Sequence, residues 1–209
     1  MSDDQTVFIV DDDDGVRDGL NLLLSTVGQS CELYECGQEF LEAYDDGKRG
    51  CLVLDIRMPR MTGLDLQKRL QELGSTIPII FITGHGDIPM AVEAMRRGAL
   101  DFIRKPFREH DLLERINEAL NIDEDAYRKA HDQQILAARM SSLSQREREV
   151  FERVAEGHMN KVIAADLGIS ERTVEVHRGQ VMKKLEAKTL AQLVRVKIEA
   201  DQGTEASQS

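Results

Sequence analysis

Along its first 120 residues the chain alternates two kinds of hydrophobic pattern. Short, nearly unbroken apolar runs occur at Val7 to Val10, Cys51 to Leu54 and Ile79 to Ile82, with shorter candidates at Cys31 to Tyr34 and Phe102 to Ile103. Between them apolar residues recur three and four apart, as at Val16, Leu20, Leu23 and Leu24, or at Leu64, Leu66, Leu70 and Leu73. The first kind predicts strands buried on both faces and the second predicts amphipathic helices. Five such alternations predict an α/β domain, doubly wound around a parallel sheet, with its ligand crevice at the carboxyl ends of the strands.

The pattern then changes twice. Asn121 to Ser142, "NIDEDAYRKAHDQQILAARMSS", has no Pro or Gly and favours helix by propensity. Leu113, Ile116, Leu120, Tyr127, Ala130 and Ala137 keep helical spacing, but Asp123 and Gln134 interrupt it, which favours an exposed connecting helix over one that pairs with a second chain. His131 reads as a solvated residue of that helix. From Leu143 onward helices follow one another without strands. Ser144 to Glu147, "SQRE", is a capping box opening a helix that ends near Gly157. "NKVIAADLGIS" predicts a helix with Val162, Ile163 and Leu167 inward and a turn at Gly168; Ser170 caps "ERTVEVHRGQVMKKL", and Thr189 caps a closing helix. Two capped helices around a glycine turn form a helix-turn-helix arrangement. The expected organisation is an α/β domain over 5–120, a helical linker over 121–142, a smaller all-α domain over 143–200 and a disordered polar tail over 201–209.

Composition alters this picture in one respect. No apolar run of the 209 residues is long enough for a membrane span or a secretory signal, so a cytoplasmic protein without membrane partners is expected. Cys31, Cys36 and Cys51 lack the spacing of a zinc site and read as buried thiols. The net charge of −11 argues against a polyanionic partner. Its distribution argues the other way: residues 1–120 carry 13 cations against 23 carboxylates, residues 143–209 carry 11 of each, and Arg178 to Lys197 holds six cations and one acid. One acidic domain and one with a basic segment follow.

The candidate chemistry lies where the strands stop. Asp11 and Asp12 follow the first strand, Asp55 the third, Thr83 the fourth and Lys105 the fifth. A doubly wound sheet brings these ends to one edge. Two carboxylates about 4 Å apart repel by roughly 4 kcal/mol at an effective dielectric near 20, so such a cluster needs water or a cation. An oxygen-only donor set suits Mg²⁺. A carboxylate facing that ion can attack phosphorus to give an aspartyl phosphate; Asp55, alone at its strand end, is the best acceptor, with Lys105 and Thr83 placed to bind the phosphoryl oxygens.

"VDDDDGVR", "LVLDIRMPRMTGLDL" and "FITGHGDIPMAVEAMRRGALDFIRKPF" resemble the receiver domain of two-component response regulators, most closely the FixJ subgroup. The resemblance implies a flavodoxin-like sheet of order 2-1-3-4-5. It also implies that Asp11, Asp12, Asp55 and the backbone carbonyl of Arg57 hold Mg²⁺, and that Asp55 accepts the phosphoryl group from a sensor histidine kinase. Lys105-Pro106 would be a cis peptide and Phe102 would occupy an aromatic switch position coupled to Thr83. Asp13 and Asp14 are expected to be solvated residues of the loop and first helical turn, and His85 to lie in a loop that reshapes with Thr83.

"LSQREREVFERVAEGHMNKVIAADLGISERTVEVHRGQVMKKLEAKTLAQLV" resembles the four-helix DNA-binding domain of the LuxR/NarL/FixJ class. That places the helix-turn-helix over 161–180, with Lys161 at its start, and the recognition helix over 171–185. Helical spacing puts Val174, Val181 and Leu185 toward the core, with His177 packing beside them, and turns Thr173, Glu175, Val176, Arg178, Gly179 and Lys183 toward the major groove or its phosphates. Arg172, Arg178, Lys183 and Lys184 are the expected phosphate contacts. Glu175 can accept from cytosine N4 or be held off by phosphates, and Gly179 either permits close approach to DNA or is a tolerated cost. The whole reads as a phosphorylation-gated transcriptional activator, not an enzyme. It would dimerise through the receiver, bind promoter DNA and act on RNA polymerase. Two rivals stand beside it. Asp12 to Val16 also fits the Asp-x-Asp-Gly-Val of haloacid-dehalogenase phosphohydrolases, with Asp12 as nucleophile, and a receiver could work unphosphorylated through protein contacts.

Overall fold

The computed structural model describes residues 5–45, 47–84 and 88–206. They form two compact units, Met1–Tyr127 and Arg128–Ser209. In the first, strands β1 (Thr6–Val10), β2 (Cys31–Tyr34), β3 (Gly50–Asp55), β4 (Ile79–Thr83) and β5 (Asp101–Arg104) alternate with helices α1 (Asp14–Thr26), α2 (Gly37–Ala43), α3 (Gly63–Glu72) and α4 (Ile88–Arg96). Helix α5 (Glu109–Ser141) follows. All strand pairs are parallel, in the order β2-β1-β3-β4-β5 expected of a doubly wound receiver sheet.

The apolar runs are unbroken because the central strands are covered on both sides. Successive residues face opposite ways. Val7 and Ile9 of β1, Cys51 and Val53 of β3, and Ile80 and Ile82 of β4 meet Leu20 and Leu24 of α1 and Leu112, Ile116 and Ala119 of α5. Their neighbours Phe8, Val10, Leu52, Leu54 and Phe81 meet Phe40 of α2, Leu64, Leu66 and Leu70 of α3, and Ala94 of α4. Each of the Val, Leu, Ile and Phe side chains contributes about 1.5 to 3 kcal/mol over its exposed state, which fixes the register that aligns the strand ends. Gly63 is required where α3 begins: a Cβ there would stand 2.3 Å from the Asp55 carbonyl oxygen. Cys51 is buried, whereas Cys31 and Cys36 are half-exposed, so the expectation of three buried thiols holds for one.

The segment over 121–142 continues the receiver's last helix almost to its end. No break separates the last receiver helix from the connecting segment; α5 is one helix, and the boundary between units falls after Tyr127 rather than after residue 120. The reason is a set of polar contacts. Arg49 bonds Asp123 and Glu124, and Gln5 bonds the Leu120 carbonyl and Asp123, so the first turns of the expected linker belong to the receiver.

The second unit packs α6 (Gln145–Ala155), α7 (Asn160–Leu167), α8 (Glu171–Lys184) and α9 (Leu190–Ala206) around Val150, Phe151, Val154, Ile163, Val174, Val181, Leu185 and Leu193. Ser144 and Glu147 form the predicted capping box. Gly168 ends α7 in the left-handed conformation at φ 65°, which glycine adopts without strain, and Ser170 caps α8. Val162, expected inward, is 40% exposed because Ile163 and Ala164 take the buried positions of α7. Helix α9 continues to Ala206, past residue 200 where disorder was expected; the polar tail has no proline to stop it, and Gly203 alone does not.

Candidate functional site

The ends of β1, β3 and β5 bring three charged side chains together. The Nζ of Lys105 donates to Asp11 Oδ2 at 2.6 Å and to Asp55 Oδ1 at 2.8 Å. Asp11 and Asp55 are 1% and 6% exposed, so one ammonium is shared by two desolvated carboxylates. The second oxygen of each is also engaged: Asp55 Oδ2 accepts from the Arg57 amide at 2.6 Å and Asp11 Oδ1 from the Asp13 amide at 3.0 Å. Lys105-Pro106 is cis, as the resemblance implied. The Lys105 amide donates to the Thr83 carbonyl at 2.6 Å, which ties the fifth strand end to the fourth. Thr83 is buried at the end of β4, on the same sheet edge.

The electrostatics are unbalanced toward negative charge. Burial pushes the Asp55 carboxyl above its ordinary value; Lys105 pulls it down, Asp11 adds to the rise, and the Arg57 amide opposes it. Burial likewise works against the charge of Lys105, but the carboxylates of Asp11 and Asp55 outweigh it and hold the ammonium above its usual range. Asp12 is exposed beside them, and no group of three His, Cys, Asp or Glu side chains is gathered tightly enough to hold a metal among the described residues. The structure thus converges two of the three expected carboxylates through Lys105 and leaves the third at the rim. The donor chemistry nonetheless fits a hard divalent cation. Asp11, Asp55, Asp12 and the Arg57 carbonyl offer oxygens alone, and the excess negative charge is what such an ion neutralises.

Neighbouring residues are sorted by the same geometry. Asp13, expected to be merely solvated, is the N-cap of α1, its Oδ1 accepting from the amides of Gly15 at 2.8 Å and Val16 at 3.2 Å. Asp14 lies in the first turn and pairs with Arg17. Arg17 is a residue that the sequence pattern did not single out: it is 7% exposed, and its Nη1 donates to the Asp11 carbonyl at 2.6 Å. A buried arginine on an α1 face otherwise made of Leu20 and Leu24 left no signal in periodicity. Phe102 is half-buried and shares a surface hollow with Ala91, Val92 and Met95 of α4. His85 lies outside the described residues.

The second candidate site is the outer face of α8. Arg172, Glu175, Val176, Gly179 and Lys183 are exposed there, Thr173 is half-exposed at the helix start, and Lys161 is exposed at the start of α7. Gln180, which helical spacing did not single out, is exposed on the same face. The expected core residues Val174 and Val181 are buried, and His177 is half-buried beside them. Two expected phosphate contacts are instead tied down within the unit. Arg178 Nη1 donates to Asn160 Oδ1 at 2.9 Å, and Lys184 Nζ donates to Glu147 Oε2 at 2.6 Å and to the Ser142 carbonyl at 3.0 Å. Both lie toward the core side of α8, where helical geometry aims them at α6 and α7 rather than outward. The Lys184 ammonium and the Ser144 amide hold the Glu147 carboxyl down at about 2.

Comparison with known proteins gives each unit a family. Residues 7–117 match the response regulator receiver domain family, and residues 141–197 match the luxR family of bacterial regulatory proteins. The chain is similar to the response regulator protein TmoT of Ectopseudomonas mendocina, 47% identical over 94% of this chain and 90% of that one. It resembles the solved structure of the response regulator StyR with a TM-score of 0.89 and 45% identity, covering 94% of this chain and 99% of that one. Full-length FixJ from B. japonicum matches with a TM-score of 0.60 and 42% identity over 96% of this chain and 99% of that one. No helix among the described residues is long and apolar enough to cross a membrane.

Proposed function

The chain belongs to the two-component response regulators that join a receiver to a LuxR-type helix-turn-helix domain, and from that premise we propose that a phosphoryl group on Asp55 switches its binding to promoter DNA. The observation that carries this reading is the Lys105 ammonium shared between Asp11 and Asp55 at the strand ends. Asp55 Oδ attacks the phosphorus of a phosphohistidine on the sensor kinase; the new O–P bond forms as the N–P bond to histidine breaks, and the imidazole leaves with a proton from solvent. The Arg57 amide on Oδ2 and the Lys105 ammonium on Oδ1 hold the carboxylate in one orientation. Lys105 is placed to follow the incoming negative charge, and the Thr83 hydroxyl to bond a phosphoryl oxygen. Mg²⁺, held by Asp11, Asp12, Asp55 and the Arg57 carbonyl, would supply further charge neutralisation at the phosphoryl oxygens.

Repacking of Thr83 and Phe102 would then alter the α4–β5 face. Val92 and Met95 are 46% and 44% exposed beside Phe102, an apolar patch suited to receiver dimerisation. Paired second domains would bind half-sites about one helical turn apart, through Arg172, Thr173, Glu175, Val176, Gly179, Lys183 and Lys161. Arg178 and Lys184 reach DNA in this reading only by giving up their present partners. Activation of RNA polymerase at a cytoplasmic promoter completes the scheme.

The phosphohydrolase rival has weaker support. Its nucleophile, Asp12, is exposed and outside the Lys105 pairing, and the Asp of its motif two positions later is paired with Arg17. The test is mass spectrometry and promoter binding with and without acetyl phosphate and Mg²⁺. The label and the gain in DNA affinity should both vanish in Asp55→Asn; label retained in Asp55→Asn, or a full gain without it, defeats the proposal.

A further inference from the structure

The receiver holds the start of its connecting helix through one side chain above all. Arg49 stands immediately before β3, at the sheet edge opposite Asp11, Asp55 and Lys105. Its Nη2 donates to Asp123 Oδ2 at 3.1 Å and to Glu124 Oε2 at 2.6 Å, and its guanidinium carbon lies 3.7 Å from the centroid of the Tyr127 ring. Gln5, immediately before β1, adds a second grip: Nε2 donates to the Leu120 carbonyl at 2.7 Å and to Asp123 Oδ2 at 2.8 Å. The Gln5 carbonyl is itself fixed by Gln29 Nε2 at 2.9 Å.

Burial explains why this grip matters. Helix α5 packs on the sheet through Leu112, Ile116, Ala119 and Leu120, and past Leu120 its residues are mostly exposed until the second unit begins to bury Leu143. An exposed polar helix is marginal by itself. Arg49 and Asp123 are 14% and 13% exposed at the side chain, so their attraction is screened less than that of a surface pair. A guanidinium suits this position because one flat group bonds two carboxylates and lays its face on a ring, whereas a lysine ammonium offers a point charge with no planar face to stack. One of its donors, Nε, is buried without an acceptor, so the grip stops short of full satisfaction.

We infer that Arg49 is a positioning residue for signal transfer: by fixing Asp123, Glu124 and Tyr127 to the receiver, it makes α5 a rigid lever and prevents a hinge after Leu120. The inference rests on the phosphorylation reading above. Its test uses the full chain, as wild type, Arg49→Ala, Arg49→Lys and Tyr127→Leu, the last removing the half-exposed ring on which Arg49 stacks. Three quantities are measured: the acetyl phosphate-dependent gain in promoter affinity, the rate of Asp55 phosphorylation, and amide hydrogen exchange over 121–127.

In Arg49→Ala the exchange should rise, the phosphorylation rate should stay within about twofold, and the gain should shrink by about fivefold or more, the lower end of ordinary coupling between sites. Arg49→Lys should recover part of the gain, and Tyr127→Leu should show a smaller loss of the same kind if Arg49→Ala fails to fold. A gain that survives while exchange rises overturns the inference, as does exchange unchanged in Arg49→Ala and Tyr127→Leu. A wild type without any phosphodonor-dependent gain overturns the phosphorylation reading and the inference with it.

Discussion

The acidic crevice and the basic helix face are built in opposite ways. Asp11, Asp55 and Lys105 come from positions up to 94 residues apart and meet at a largely buried sheet edge, so removing one leaves the others without their hydrogen-bond partner. Arg172, Val176, Gly179 and Lys183 come from one helix, stand in solvent and depend on no neighbour for their exposure. A change in the first region should therefore be felt as stability and switching, and a change in the second as affinity for DNA with little effect on the fold.

The sharpest way to break that contrast is to remove a cation from each. Lys105→Met leaves Asp11 and Asp55 facing one another without their ammonium, and stripping one partner from a buried ion pair costs about 3 to 5 kcal/mol. Thermal unfolding in the absence of divalent ions should drop accordingly, and Mg²⁺ should recover more stability in this variant than in wild type, because it replaces the missing positive charge. Lys183→Met should leave unfolding within about 0.5 kcal/mol. Equal losses in the two variants would show that the ammonium does not hold the crevice together.

How much of this was legible in the sequence follows the same divide. The strands were legible because both-face burial writes unbroken apolar runs, and the crevice because parallel strands put the residues after each run on one edge. The caps at Ser144 and Ser170 were legible because their chemistry is local. Contacts between distant polar residues were not. Arg49 and Glu124 lie 75 positions apart, and Lys184 and Glu147 lie 37 apart; no periodicity couples them. For the same reason neither the hold of Arg49 on residues 123 and 124 nor the pairing of Lys184 within its own unit could be read from spacing. Helical spacing carried Val174 and Val181 to the core correctly but could not say which cations of α8 would find a carboxylate on α6.

Lys183 and Lys184, adjacent in sequence, give a finer test of the contrast. Lys184→Met leaves the Glu147 carboxylate, 8% exposed at the side chain, without its ammonium, and should cost about 1 to 3 kcal/mol of stability in the second unit. Glu147 titrates at about 2 when folded, below the ordinary glutamate value of about 4.3, so its contribution is present above that ordinary value and is lost as pH falls toward about 2. The stability difference between wild type and Lys184→Met should therefore be constant near neutrality and close as the solution is acidified through that window. Lys183→Met should show no such pH-dependent difference; it should lower promoter affinity and flatten the log–log salt dependence by about 0.9, the signature of one lost phosphate contact.

The smallest expected effect concerns Gly179, whose outward position admits a direct answer to why glycine stands there. A Cβ at this position meets no atom within 4 Å, so the protein itself does not require the missing side chain. Glycine inside a helix costs about 1 kcal/mol relative to alanine, and Gly179→Ala should raise the unfolding free energy of the second unit by about that amount. Promoter affinity should fall in the same variant under the proposed docking, because Gly179 lies three residues from exposed Val176 and four from Lys183 on the outermost stripe of α8, where an added methyl would come between the helix and the groove. A variant that is both more stable and equally tight on DNA would show that the glycine is a tolerated cost and that α8 docks without using the gap.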